Sequence, residues 1–325
     1  MLLLLAVFLV STAGLFAHRA LLEATPLAIA AWRLGLASLF FLGLSAVRKA
    51  KTEDTGEREK KGERGKEGER GKKGERGKKG EHKVRPYFGA VRVRLVLAGL
   101  CLAVHFVTWF SALDRTPVAR ATLLVCTTPL WTTLGSLALG RRRVSPLYWL
   151  ALIIAAFGVW LVTLSAAQPA TRATLAGDLL ALLGGLLFAV YLLCVEGLHE
   201  TVSSQRQVTV AYSVAAVVLW ALLLGTGGAR FHYSPGVWRA LLGMTLGPQI
   251  FGHTLLNWSL RHYPSSTVAF AILLEPILAA VLAWWLLGQT LTPLQMLGGL
   301  LVLVALALVI WQQTAKERAE DEAVG

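Results

Sequence analysis

Long apolar runs separated by short polar stretches dominate this chain. Ten of them are about 20 residues long, enough for a helix to cross a hydrocarbon core roughly 30 Å thick. They lie at 2–20, 25–46, 95–113, 118–138, 146–165, 176–196, 208–225, 238–258, 265–287 and 293–312. The first run lacks the charged leader of a signal peptide, so we interpret it as a transmembrane helix. The pattern predicts an all-α integral membrane protein.

Prolines recur at the same spacing in the two halves of the chain. In each half three prolines are separated by 12 and then 17 residues: Pro117, Pro129, Pro146, and Pro264, Pro276, Pro293. Five predicted spans fall in each half, and an odd number reverses the direction in which the second half enters the membrane. We therefore predict ten transmembrane helices in two inverted five-helix repeats, an arrangement typical of secondary transporters.

The predicted repeats occupy 1–165 and 176–312, and 313–325 form a tail. The net charge of +13 resides mostly in 48–94, which hold 18 Lys or Arg and 9 Asp or Glu. Glycine occupies every third position from Gly62 to Gly80, but without the proline on which a collagen helix depends. This composition predicts a disordered linker inside the first repeat, with attraction to anionic lipid headgroups as an alternative. The glycine-periodic tract 62–80 has no aromatic residue to stack a base, so nucleic acid is not an expected partner.

The basic residues predict how the chain is oriented. Of 32 Lys and Arg residues, 25 lie in 48–94, at Arg141–Arg143, at Arg206, at Arg261 and in the tail. All of these segments fall on one side of the ten-span arrangement. By the positive-inside rule, both termini and the loop 48–94 are expected in the cytoplasm, in a multi-pass protein of the cell inner membrane.

Ionisable side chains inside predicted spans are candidate site residues, because charge in a bilayer is costly. Glu275 precedes Pro276, which weakens the helix; the carboxyl group either binds a proton or substrate or belongs to a structural kink. Its counterpart in the first half is Thr128, before the second predicted kink at Pro129. Arg33 in the second span is expected to bind an anionic substrate group, to pair with Glu275 or to hydrogen-bond between helices.

Two further pairs of residues recur in the third and eighth spans. His105 and Trp109 are four residues apart, and so are His253 and Asn257. Residues at this spacing share one face of a helix. A polar and aromatic face at similar places in both halves indicates the lining of a central cavity, although hydrogen-bonded packing residues would give the same pattern.

Several classes of site have no motif in the sequence. The three cysteines lie in apolar spans without a CxxC or Cys/His cluster, so neither a metal site nor a disulfide framework is expected. There is no GxxxxGK[ST] loop, HExxH, GxSxG or TVGYG sequence, which argues against an ATPase, a familiar hydrolase and a potassium-type filter. We expect no enzyme activity and no cofactor. The expected partners are a small-molecule substrate and membrane lipids, with a homodimer left open.

Two stretches resemble the EamA type of the drug/metabolite transporter superfamily. They are PVARATLLVCTTPLWTTLGSLALGRRRVSPLYWLAL at 117–152 and AFAILLEPILAAVLAWWLLGQTLTPLQMLGGLLV at 269–302. Arg33 is similar in position to an arginine usual in the second span of that family. The resemblance implies ten helices in two inverted repeats around a central substrate cavity. Gln289 and Arg141 stand where the family usually has acidic residues, so a loop salt bridge made by those acidic residues is not expected in this chain.

The residues and the resemblance together predict a secondary transporter. The expected activity is export of a small metabolite or drug-like compound by alternating access. A non-transporting membrane scaffold or receptor, and a channel, are the alternatives.

Overall fold

The described part of the chain is mostly helical. The structure is a computed structural model, and it describes residues 1–64, 85–116, 118–141, 144–164, 172–287 and 292–324. No strand occurs among these residues. The α-helices are α1 Leu2–Ser11, α2 Ala13–Ala20, α3 Pro26–Arg64, α4 Arg85–Leu113, α5 Val118–Val125, α6 Thr128–Ala138, α7 Pro146–Leu164, α8 Arg172–Val195, α9 Ser204–Gly225, α10 Pro235–Met244, α11 Thr254–Ser259, α12 Ser265–Ala271, α13 Glu275–Leu287 and α14 Pro293–Val324.

Six helical stretches are long and apolar enough to cross a membrane. They are Leu2–Ala20, Pro26–Ala50, Gly89–Leu113, Leu175–Glu200, Ser204–Gly225 and Pro293–Gln312. Large apolar side chains such as Leu39, Ile153 and Trp285 are exposed on the outside of the bundle, as expected for a surface that faces lipid. The fold is therefore that of an all-helical, multi-pass membrane protein. The count of ten spans and the inversion of the two halves remain predictions.

Two of the predicted spans are interrupted helices. The span 118–138 consists of α5 and α6, which are separated at Cys126 and Thr127. The span 265–287 consists of α12, a 3-10 turn at Ile272–Leu274, and α13. Each new helix begins one residue before a proline of the repeated set. Proline has no N–H to donate to the preceding turn, so the α-helical ladder is interrupted on its N-terminal side.

A third predicted span, 238–258, is helical with an unexpected π-helical stretch. This stretch covers Thr245–His253 and contains Pro248. A π-helical turn holds an extra residue, and such turns occur frequently at functional sites. The regular α-helical face that the sequence predicts here is therefore shifted in its middle.

The charged segment 48–94 is helical at both ends in the structure, and the disorder of the linker stays a prediction. Helix α3 continues to Arg64, and α4 begins at Arg85. Lys, Arg and Glu are good helix formers and make supporting pairs at a spacing of four residues, so a helix can extend beyond the membrane. The remaining part, 65–84, lies outside the described residues.

The two halves of the chain interlock. Helix α4 packs extensively on α8, α7 on α14, and α3 on α9, and each pair joins one helix from either half. Glycines permit the closest approaches. A Cβ atom at Gly158 would lie 2.6 Å from the carbonyl oxygen of Gly298, and one at Gly185 would lie 2.7 Å from that of Val125. Small residues bring helix backbones together in this way in membranes.

Candidate functional site

A small cavity lies between helices of the two halves. Its volume is about 30 Å³, which holds one or two water molecules. Its walls combine charged, polar and aromatic side chains from several helices. The lining residues are Val10, Ala13, Arg33, His105, Phe106, Trp109, Val125, Thr128, Phe188, His253, Leu256, Ile272 and Glu275.

The cavity brings together most of the residues that the sequence singles out. Five of the six candidates line it: Arg33, His105, Trp109, His253 and Glu275. The sixth, Asn257, is buried but is not part of the lining. Its amide Nδ2 donates a hydrogen bond to the hydroxyl of Tyr191 at 3.3 Å. Asn257 thus contributes to packing one turn beyond His253.

Arg33 is fully buried on α3 and only partly satisfied. Its Nε donates to Oε1 of Gln249 at 2.7 Å. The guanidinium carbon lies 4.3 Å from the centroid of the Phe106 ring, a distance suited to a cation–π interaction. The Nη1 and Nη2 atoms have no hydrogen-bond partner among the described residues. Arg33 and Glu275 face the same cavity without forming an ion pair.

An incompletely paired arginine in this position can bind an anion. A buried charge is costly unless it is paired and hydrogen-bonded. The guanidinium group offers its N–H donors in a planar fork that matches a carboxylate or phosphate. Because Gln249 takes only Nε, the two terminal nitrogens of Arg33 remain available for such a group.

Glu275 and Thr128 enter the cavity from equivalent places. Glu275 is the first residue of α13 and is 7% exposed; Thr128 is the first residue of α6. The Thr128 hydroxyl donates to the carbonyl oxygen of Val125 at 2.8 Å, which satisfies a carbonyl freed by the helix break. The two breaks approach each other, since Sγ of Cys126 lies 4.0 Å from the carbonyl oxygen of Ile272.

The two histidines both contact the ring of Phe188. The ring of His105 stacks on Phe188 with centroids 4.8 Å apart, and His253 meets Phe188 edge-on at 5.5 Å. Nδ1 of His105 lies 2.8 Å from the carbonyl oxygen of Gly184. A carbonyl group only accepts, so Nδ1 carries the proton and Nε2 of the neutral ring is left as an acceptor. His105 is therefore held in one tautomer.

Two polar side chains near the cavity have buried N–H groups that make no hydrogen bond among the described residues. Nε1 of Trp109 and Nε2 of Gln249 are buried and make no hydrogen bond within the described part of the chain. Sequence reasoning missed Gln249, which lies in the π-helical stretch directly after Pro248. A polar residue that follows a proline inside an apolar run is the signal that could have identified it.

One titrating group outside the membrane-spanning segments is held in its charged form. Glu23 lies between α2 and α3, and its Oε2 accepts a hydrogen bond from the N–H of Ser234 at 2.9 Å. Hydrogen bonds from the side chain and backbone of Ser234 lower the pKa of the Glu23 carboxyl, and Arg19 adds to the effect. This contact joins the first half of the chain to the second.

A metal site is not evident in the described ranges. No group of three or more His, Cys, Asp or Glu residues there is arranged to hold a metal ion. The cavity chemistry is that of hydrogen-bond donors, one carboxyl group, one cation and aromatic rings.

Known proteins similar to this chain are membrane transporters or share its fold. The chain is 26% identical over 228 residues to "Uncharacterized transporter YwfM" of Bacillus subtilis, covering 70% of this chain and 76% of that protein. It is 29% identical over 211 residues to "Threonine/homoserine exporter RhtA" of Escherichia coli K12, covering 64% and 67%. A solved crystal structure superposes with a TM-score of 0.70 at 16% identity and covers 97% of both chains, which shows a common fold.

The family model of the EamA-like transporter family matches residues 1–164 and 175–311. The resemblance seen in the sequence is therefore confirmed, and the family indicates a transporter rather than an enzyme. This chain belongs to the EamA-like transporter family of the drug/metabolite transporter superfamily.

Proposed function

We propose that this chain is a secondary transporter that exports a small metabolite or drug-like compound by alternating access. The observation that carries the proposal is the cavity between the two halves, into which Arg33 and Glu275 both project without pairing. A buried cation and a carboxyl group that face one cavity without direct contact leave both groups available to a ligand. In the proposed cycle the ten helices form two inverted repeats that rock around this site.

The cavity favours a substrate that carries an anionic group. Arg33 would bind that group through Nη1 and Nη2, while Phe106, Phe188 and Trp109 would contact its apolar part. Glu275 would accept either a proton or a cationic group of the substrate. The name of the relative RhtA gives threonine and homoserine as the first compounds to test, since each has a carboxylate and an ammonium group.

The present cavity of about 30 Å³ is too small for such a compound. Substrate entry therefore requires the helices around the site to move apart. The breaks before Pro129 and Pro276 and the π-helical stretch interrupt the helices that contribute Thr128, Glu275 and His253. We propose that these interruptions let the wall segments tilt while their outer parts remain packed.

The proposed location is the cell inner membrane, with both termini and the loop 48–94 in the cytoplasm. The charge distribution supports this orientation. We propose export as the direction of transport because the relative RhtA is named an exporter.

Counterflow in proteoliposomes tests the proposal against a scaffold, a receptor and a channel. Purified protein is reconstituted with unlabelled threonine or homoserine inside, and uptake of a labelled trace from outside is followed. A carrier gives transient uphill accumulation that depends on the internal compound, because exchange requires alternating exposure of one site. Accumulation equal to that of protein-free liposomes for these and a panel of other amino and organic acids would contradict the proposal.

A further inference from the structure

Glu196 joins segments from both halves of the chain at one end of the helical bundle. It directly follows α8, and its Oε1 accepts a hydrogen bond from the N–H of Ser265 at 2.9 Å. Its Oε2 accepts from the hydroxyl of Ser265 at 3.1 Å and from Nη1 of Arg141 at 3.2 Å. We refer to Glu196, Arg141 and Ser265 as the Glu196 contact. Ser265 begins α12, the segment that leads to Glu275 in the cavity.

Two arginines from the first half fix the end of α8. Nη1 of Arg141 donates to the carbonyl oxygen of Leu193 at 2.9 Å, and Nε of Arg94 donates to that of Cys194 at 2.9 Å. The last carbonyl groups of a helix lack intrahelical partners, and cations are favourable there. The positions of Glu196 and of α12 are thereby tied to α4 and to the loop after α6.

The local sequence places the Glu196 carboxylate where these groups converge. Gly197 has a φ of 76°, a left-handed conformation that ends the helix directly after Glu196. Arg141 follows α6, one residue after Gly140, whose φ of 61° turns the chain in the same way. Arg141 also departs from the family pattern in the sequence, where an acidic residue is usual, and here its guanidinium group pairs with Glu196.

The Glu196 contact lies at the end of the bundle that carries the segment 48–94. Arg94 ends that segment, and Arg48 begins it and hydrogen-bonds through Nη1 to Gln205 near the start of α9. The contact is also close to solvent, because the side chains of Arg141 and Glu196 are 33% and 14% exposed. Charges at such a position can separate and rehydrate, whereas a dry buried pair cannot do so readily.

We propose that the Glu196 contact closes one end of the path to the cavity and opens in every transport cycle. It ties α12, which leads to Glu275, to the end of α8 and to Arg141. While it is formed, those segments cannot separate at the face that carries 48–94. This inference rests on the proposed alternating-access function, and Glu196 acts in it as a positioning residue rather than as a substrate ligand.

A reversible covalent bond across the contact tests whether it must open. The variant carries Glu196→Cys and Ser265→Cys in a background of Cys101→Ala, Cys126→Ala and Cys194→Ala. Copper phenanthroline oxidises it in proteoliposomes, and counterflow is measured before oxidation, after oxidation and after reduction with dithiothreitol. We expect counterflow to fall at least about tenfold on oxidation and to return on reduction.

The matched control places a cysteine pair where no opening is expected. Thr292 and Gln295 exchange hydrogen bonds at the start of α14, with distances of 2.9 and 3.2 Å. Thr292→Cys with Gln295→Cys should respond to oxidation with little change in counterflow. If the cross-linked Glu196 and Ser265 variant transports as fast as its reduced form, or if the two positions do not cross-link, the proposal is overturned.

A second measurement does not depend on transport and separates this inference from the proposed function. In the same cysteine-free background, Ala13→Cys places a thiol in the cavity wall. A membrane-impermeant maleimide is added at the face that carries 48–94. Glu196→Gln should raise the labelling rate about tenfold, whereas the matched change Glu200→Gln, on an exposed residue nearby, should leave it unchanged. Equal rates in the two variants would refute the proposal, while absent counterflow in the wild type would count against the transporter function alone.

Discussion

Thr128 and Glu275 occupy equivalent positions in the two halves, and both line the same cavity. Each begins a helix after an interruption, and each is followed by a proline of the repeated set. The hydroxyl of Thr128 is used on backbone carbonyl oxygens, that of Val125 at 2.8 Å and that of Gly185 on α8 at 3.2 Å. The carboxyl group of Glu275 has no ion-pair partner among the described residues. Two related positions therefore differ in their contacts: the Thr128 hydroxyl stabilises a helix break, and the Glu275 carboxyl group has no such contact within the described part of the chain.

Glu275→Gln should give a folded, membrane-inserted protein with counterflow reduced at least about tenfold, equivalent to roughly 1.4 kcal/mol. Glutamine keeps the size of the side chain but loses the charge that binds a proton or a cationic group. Counterflow of the variant is compared with that of Glu317→Gln in the C-terminal helix, which should transport normally. If Glu275→Gln transports as the wild type does, with the same pH dependence, the carboxyl group is structural.

Arg33→Lys should raise the KM for carboxylate substrates at least about tenfold, because a lysine keeps the charge but cannot offer the planar fork of donors. Substrate concentration is varied in counterflow assays of the reconstituted variant. Arg206→Lys, at an exposed position on α9, is the control and should leave KM unchanged. An unaltered KM for Arg33→Lys would remove Arg33 from the substrate site.

Gly158→Ala should destabilise the packing of α7 on α14 by about 1–3 kcal/mol, as overpacking does in tight interiors. The added Cβ would lie 2.6 Å from the Gly298 carbonyl oxygen, so the helices must move apart. Thermal unfolding in detergent measures the effect. Gly43→Ala meets no atom within 4 Å and should be neutral or slightly stabilising, because alanine favours a helix over glycine. Equal melting temperatures for both variants would mean that close backbone approach at Gly158 is unimportant.

Reporters fused at residue 70 and at the C-terminus should both report a cytoplasmic location, because the basic residues concentrate at these two places. Alkaline phosphatase and green fluorescent protein fusions report opposite sides of the membrane and check each other. Opposite locations for the two fusion points would break the ten-span arrangement. A shared external location would instead reverse its orientation.

Several cavity residues could be predicted from the sequence, because a charged or polar side chain inside an apolar membrane span is energetically costly and therefore marks a candidate site. Arg33, His105 and Glu275 were identified in this way, and all three line the cavity. Gln249 was missed although it follows Pro248 inside an apolar run, because the hydrophobic pattern does not reveal the π-helical stretch that contains it. Asn257 was expected at the cavity from its spacing to His253 alone. The spacing along one helix does not reveal Tyr191 on a neighbouring helix, whose hydroxyl accepts a hydrogen bond from the Asn257 amide.

The boundaries of the charged segment were not predictable from composition. Its Lys, Arg and Glu residues suit a solvated coil and a solvated helix equally well, and in the structure α3 runs to Arg64. The prolines were the more reliable guide. Helices α7 and α14 begin at Pro146 and Pro293, because the first turn of a helix does not need the missing N–H.

The small volume of the cavity predicts that inhibitors and substrates of this protein differ in size. A compound that fits the cavity of about 30 Å³ would stabilise this narrow arrangement of the helices and not the arrangements with a wider cavity. Such a compound would slow the transport cycle. A transported compound must instead gain most of its binding energy after the walls have moved apart. The shape of the opened site would then determine which compounds are transported. Small anions that reach Arg33 in the narrow arrangement would act as inhibitors rather than as substrates.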